Sequence, residues 1–79
     1  MSMCDKMTGL AIPVTITLNG DRFEVAGPLT VTDLLVRLEI DARRVVVEHN
    51  LVVLKRGTLD ETVVQNGDEV EIVNLVGGG

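Results

Sequence analysis

The chain has 79 residues, 46% of them hydrophobic, with seven Lys and Arg against twelve Asp and Glu and a formal net charge of −5. One domain of this size buries only about 60–65% of its unfolded surface, so a dense aliphatic core is required, and Phe23 is the sole aromatic available to it. No basic residue follows Arg56, which argues against nucleic acid as a partner, because phosphate contacts need a Lys/Arg face.

Residues 1–13 hold all three methionines, the only cysteine and the breakers Gly9 and Pro13, and they read as a flexible extension. Cys4 has no partner for an intrachain disulfide, which suits a reducing, cytoplasmic setting. Neither a signal peptide nor a bilayer-spanning run is expected, and no membrane contact.

From Val14 the pattern sharpens. Val14, Ile16 and Leu18 alternate with Thr15 and Thr17, Asn19-Gly20 supplies the pair favoured in a two-residue hairpin turn, and Phe23 and Val25 resume the alternation. Ala26-Gly27-Pro28 breaks the pairing. Thr30 is then an N-cap with Asp33 three residues on, and Val31, Leu34, Leu35 and Leu38 form one stripe of a helix of two to three turns. That stripe must lie on the apolar face of the hairpin.

A β-branched strand is expected over 45–48, and a short strand after a turn at Asn50. A turn or 3₁₀ loop is expected over 57–61, a second turn over 65–68, and a final strand in which Val70 and Ile72 alternate with Glu69 and Glu71. His49 is the only histidine, so neither a zinc site of ordinary His/Cys composition nor a catalytic triad is expected, and no metal site is assigned. Lys55-Arg56-Gly57 lacks the spacing of a phosphate loop. The chain reads as a non-enzyme.

The ending, Val76-Gly77-Gly78-Gly79, offers little to pack and reads as a flexible tail over 77–79. Three extended residues carry its carboxylate about 10 Å from the body, and without Cβ atoms they fit a channel too narrow for other residues. An inert linker has the same composition, so the body must decide between the two. Leu75 and Val76 carry an apolar pattern to the tail's root. Val73 and Leu75 are expected to point opposite to Val70 and Ile72, giving an apolar spot ringed by acids that suits a partner with a basic groove; the alternative is that Leu75 folds under a loop. With no proline in the approach, the backbone N–H groups of Asn74 through Gly77 are expected to be free to pair with a partner's strand edge.

Two strands, one helix, a strand, a short strand and a closing strand define an α+β chain. The economical solution is a β-grasp (ubiquitin-like) roll over 14–76, a mixed sheet with one main helix packed on one face and the first and last strands as parallel neighbours. No second helix is available for a ferredoxin-like sandwich.

On the residues "ITLNG", "TVTDLL", "RRVVVEHN", "NGDEVEIV" and the terminal "VGGG", the chain from Val14 to Gly79 resembles the ThiS-type sulfur carrier proteins of thiamine-thiazole biosynthesis. One departure is Asn50-Leu51, where that pattern has Asn-Gly. Leucine is poorly suited to positive φ, which leaves the type of that turn open. The resemblance implies that the Gly79 carboxylate is adenylylated by a ThiF-type activating enzyme. That enzyme uses ATP and magnesium, and this chain binds no cofactor of its own. A persulfide sulfur donor then displaces AMP, and the resulting thiocarboxylate gives its sulfur to thiazole synthase. Leu75, Val76, Gly77 and Gly78 would be the partner-binding tail. Carriers feeding molybdopterin or cysteine synthesis share the fold and tail, and a β-grasp interaction module with an inert tail is a further alternative.

Overall fold

The computed structural model describes residues 12–75. In chain order the elements are β1 (Ile12–Leu18), β2 (Asp21–Gly27), β3 (Leu29–Thr30), α1 (Val31–Arg37), a 3₁₀ turn (Ala42–Arg44), β4 (Val45–His49), β5 (Val52–Val53), a second 3₁₀ turn (Arg56–Thr58), β6 (Val63–Val64) and β7 (Glu69–Asn74). Strands β2-β1-β7-β4-β5 form one sheet in that order, and β3 pairs with β6 in a second, two-stranded sheet.

The hairpin forms where its sequence predicts. Asn19 and Gly20 both take positive φ, 50° and 87°, the twist that keeps the flanking strands paired. Strand β1 starts at Ile12, two residues before the domain boundary expected at Val14, with Ile12 opposite Gly27 and Pro13 opposite Ala26. Pro13 is tolerated because its nitrogen faces the side on which Thr15 and Thr17 donate to Asn66 and Asp68, beyond the last of those partners.

Helix α1 is short, and its ends are well satisfied. Thr30 Oγ1 accepts from the Asp33 backbone N–H and the Asp33 carboxylate accepts from the Thr30 N–H, a complete capping box. The next orphan donors are taken by the 59–62 segment: Val31 N–H reaches the Thr62 carbonyl at 2.9 Å and Thr32 N–H the Leu59 carbonyl at 3.3 Å. At the other end Glu39, with φ 60°, stands where glycine is usual, and its N–H bonds to the Val36 carbonyl while that of Ile40 bonds to the Leu35 carbonyl. Ile40 packs against the core as it closes this cap.

One face of the main sheet receives the helix. Val14 and Ile16 of β1, Val45 and Val47 of β4 and Val70 of β7 are buried with Val31, Leu34 and Leu35 of α1, and Leu29, Leu59 and Val64 close the sides. The 3₁₀ turn at Arg56–Thr58 begins one residue earlier than the loop expected over 57–61. The pairing of Leu29 and Thr30 with Val64 and Val63 has no counterpart in the sequence reading, since two residues are too few for an alternation to register.

Leu34 is fully buried at the centre of the helix stripe. Leu34→Ala is expected to cost about 2–5 kcal/mol in urea unfolding, a large fraction of the 5–15 kcal/mol typical of a native domain. A loss under about 1 kcal/mol would contradict this placement of α1.

Candidate functional site

The face of the sheet opposite α1 is uncovered, and β7 carries it to the root of the tail. Alternation along β7 buries Val70 completely and leaves Val73 and Leu75 half exposed, at 53% and 50%. Leu75 thus lies with Val73 on the open face, as the alternation predicts, and is not tucked under a loop. Val73 stands opposite Val46, Glu71 opposite Glu48, and Glu48 in turn opposite the exposed Val53. The result is an apolar patch of Val46, Val53, Val73 and Leu75 with glutamates beside it.

The backbone at the root differs from expectation. The Leu75 N–H is not free: it donates to the Arg44 carbonyl at 2.8 Å, extending the β4–β7 ladder by one residue. Strand β4 continues back into the 3₁₀ turn, where Asp41 accepts from the Arg43 backbone and guanidinium. The hydrogen bond from the Arg43 side chain holds the Asp41 carboxyl below its ordinary range. These bonds support the turn that presents the Arg44 carbonyl to Leu75. Val76, Gly77, Gly78 and Gly79, assigned from sequence to the tail, lie outside the described residues.

At the far end of the same face the Asn50–Leu51 turn joins β4 to β5. Both residues take positive φ, 52° and 71°, so the left-handed pair suited to Asn-Gly persists with leucine in the glycine's place. Asn50 is bound into the fold: its N–H reaches the Glu69 carbonyl at 2.7 Å, its Oδ1 accepts from the Glu69 N–H, and its Nδ2 donates to Asp68. Leu51 is 81% exposed. It lines a cleft of about 230 Å³ together with Thr17, Glu48, Glu69 and Glu71.

His49 is partly buried, and its Nε2 lies 2.6 Å from Asp68 Oδ2. Burial pushes the Asp68 carboxyl up, but hydrogen bonds from the Gln65 N–H, His49 and Asn50 outweigh it and hold the group below its ordinary value. This pair ties the 65–68 turn to β4. Among the described residues no group of three or more His, Cys, Asp or Glu side chains is placed to hold a metal ion, and no helix is long and apolar enough to cross a membrane.

A β-grasp body with one uncovered face and a chain end leaving from its central strand defines a class of small ubiquitin-like proteins. A closely similar arrangement is found in the thiamine biosynthesis protein ThiS of Geobacter metallireducens, 42% identical, whose crystal structure matches with a TM-score of 0.74 over 84% of this chain and 100% of that one. The ThiS family model matches residues 16–79, and the chain belongs to that family, the sulfur carriers its sequence resembles. It is also 36% identical over 64 residues to a thiazole synthase of Paramagnetospirillum magneticum, a match that covers 81% of this chain and 20% of that protein. The chain thus spans about a fifth of the length of that relative. The uncharacterized protein ycf40 of Porphyra purpurea is 33% identical over 66 residues, covering 84% of this chain and 93% of that one.

The lowered Asp68 carboxyl has a consequence for stability. Its folded value lies below the unfolded value of about 3.9, so its contribution is present above that pH and is lost as pH falls through the folded value. Asp68→Asn is expected to lower stability at neutral pH and to flatten the decline below about pH 4. Urea midpoints followed from neutral pH down to about pH 2 test this, and parallel curves for the two proteins would rule it out.

Proposed function

We propose that this chain is a sulfur carrier for thiazole formation in thiamine biosynthesis, acting as a substrate of other enzymes and not as a catalyst. The observation that carries the pathway assignment is the match of the chain to a fifth of a thiazole synthase. Membership in the ThiS family and the uncovered apolar face at the tail's root support the carrier role.

A carboxylate is a poor acyl donor, so the Gly79 carboxylate must first be activated. Its oxygen attacks the α-phosphate of ATP on a ThiF-type activating enzyme, pyrophosphate leaves, and an acyl-adenylate forms. ATP and magnesium belong to that enzyme. A persulfide sulfur then attacks the acyl carbon and expels AMP, and thiol reduction of the remaining S–S bond leaves a thiocarboxylate. Thiazole synthase takes the sulfur, and the carboxylate returns.

In this scheme Gly77 and Gly78 supply a slim arm, Leu75 and Val76 its base, and the body a docking surface. A clamped root suits the task. With the Leu75 N–H bound to Arg44, the arm pivots from one place and searches a smaller volume than it would from a frayed strand.

Deletion of Gly79, or addition of one residue after it, is expected to abolish ATP-dependent activation while leaving the unfolding curve unchanged. Intact mass after incubation with ATP, a sulfur source and the activating enzyme reads the replacement of one oxygen by sulfur, and a truncated form that still reacts would sink the arm model.

Leu75→Asp is expected to weaken the complex with the activating enzyme while changing stability by less than about 0.5 kcal/mol, because the side chain is exposed. Calorimetric titration set beside thermal unfolding separates the two effects. The pathway is tested by transfer: the thiocarboxylate form should support thiazole formation with thiazole synthase, and should fail to convert precursor Z with a molybdopterin synthase large subunit. The opposite pair of results would reassign the acceptor.

A further inference from the structure

Leu51 is costly where it stands. It occupies the left-handed region, which L side chains with a Cβ rarely adopt, and it leaves a large apolar side chain 81% exposed. Its neighbour Asn50 accounts for its own conformation through three hydrogen bonds to Glu69 and Asp68, and that clamp imposes the strain on Leu51. The turn backbone therefore directs the leucine away from the core, where its apolar surface is available to a partner.

Its surroundings indicate what it meets. Leu51 rims the cleft on the open face, beside Thr17, Glu48, Glu69 and Glu71. Glu48 and Glu71 stand directly opposite each other on paired strands, an unfavourable arrangement for like charges, and among the described residues no cation pairs with either. A cation brought by a partner relieves that repulsion.

Resting on the carrier reading above, we infer that the Asn50–Leu51 turn is a second docking point, for an apolar recess flanked by a lysine or arginine on the activating enzyme. Leu51 lies near the start of β7, about 17 Å along the strand from Leu75 at a rise of roughly 3.4 Å per residue. Contact at both ends of the face fixes the body's orientation while the tail lies in the adenylating site. A contact at the tail alone leaves the body free to pivot.

The test pairs stability with affinity on the full chain. Leu51→Gly and Leu51→Asn both suit positive φ and both remove the apolar side chain. Each is expected to raise the melting temperature and to weaken binding to the activating enzyme by about tenfold or more, whereas Leu51→Met keeps the wild-type affinity. Glu48→Gln is expected to reduce the salt dependence of that affinity. Unchanged affinity in Leu51→Gly and Leu51→Asn overturns the proposal, as does loss of both stability and affinity, which would make Leu51 a structural residue. An unaltered salt dependence in Glu48→Gln overturns the cationic half. A wild-type chain that the enzyme cannot activate fails the carrier reading itself, a result distinct from any of these.

Discussion

The fold depends on the insertion of β7 between β1 and β4. Its antiparallel side is regular, five residue pairs running from Val45 opposite Asn74 to His49 opposite Val70. Its parallel side is not: only Thr17 and Leu18 face Glu69 and Val70 as strand partners. Side chains from the turns make up the deficit. Asn19 receives the Ile72 N–H at 2.7 Å and donates to the Ile72 carbonyl, while Asn66 receives the Thr15 N–H at 2.8 Å. Two asparagines thus extend the β1–β7 ladder beyond both ends of its backbone pairing. Strand backbone groups that lack a ladder partner need another, and here the turn residues supply it.

The same strand divides two jobs between its faces. Val70 and Ile72 belong to the core, while Glu71, Val73 and Leu75 make the uncovered surface. Because side chains alternate with a period of two, a slip of one residue would exchange the faces, burying glutamates and exposing the core valine. The asparagine bonds and the Asn50–Glu69 pair oppose such a slip. The register and the composition of the uncovered face are therefore maintained by the same contacts.

Much of this was legible from the residues alone. Asn19-Gly20, Thr30 with Asp33, and the stripe from Val31 to Leu38 each carry a local rule, and each element formed under that rule. What escaped the sequence reading was long-range. Asn19 and Asn66 look like turn residues and are turn residues, but their amides also bond to strands far along the chain, which no local pattern encodes. The Asn50–Leu51 turn escaped for a different reason. Propensity argues against leucine at positive φ, and the bonds that hold Asn50 override it. The helix end at Glu39 is similar, since the carbonyls of Val36 and Leu35 and the packing of Ile40 stabilise a left-handed residue that is not glycine. The sequence signal for the candidate site was the alternation to Leu75, and the signal it lacked was the anchoring of that residue by Arg44.

The position of β7 also determines how the body meets a pull. A pull on the C-terminal end would enter the domain along the axis of its central strand. Bonds to β1 on one side and β4 on the other lie across the line of force, so they are loaded together in shear and do not open one after another as at a sheet edge. The body is thereby set to resist unfolding under a pull along β7.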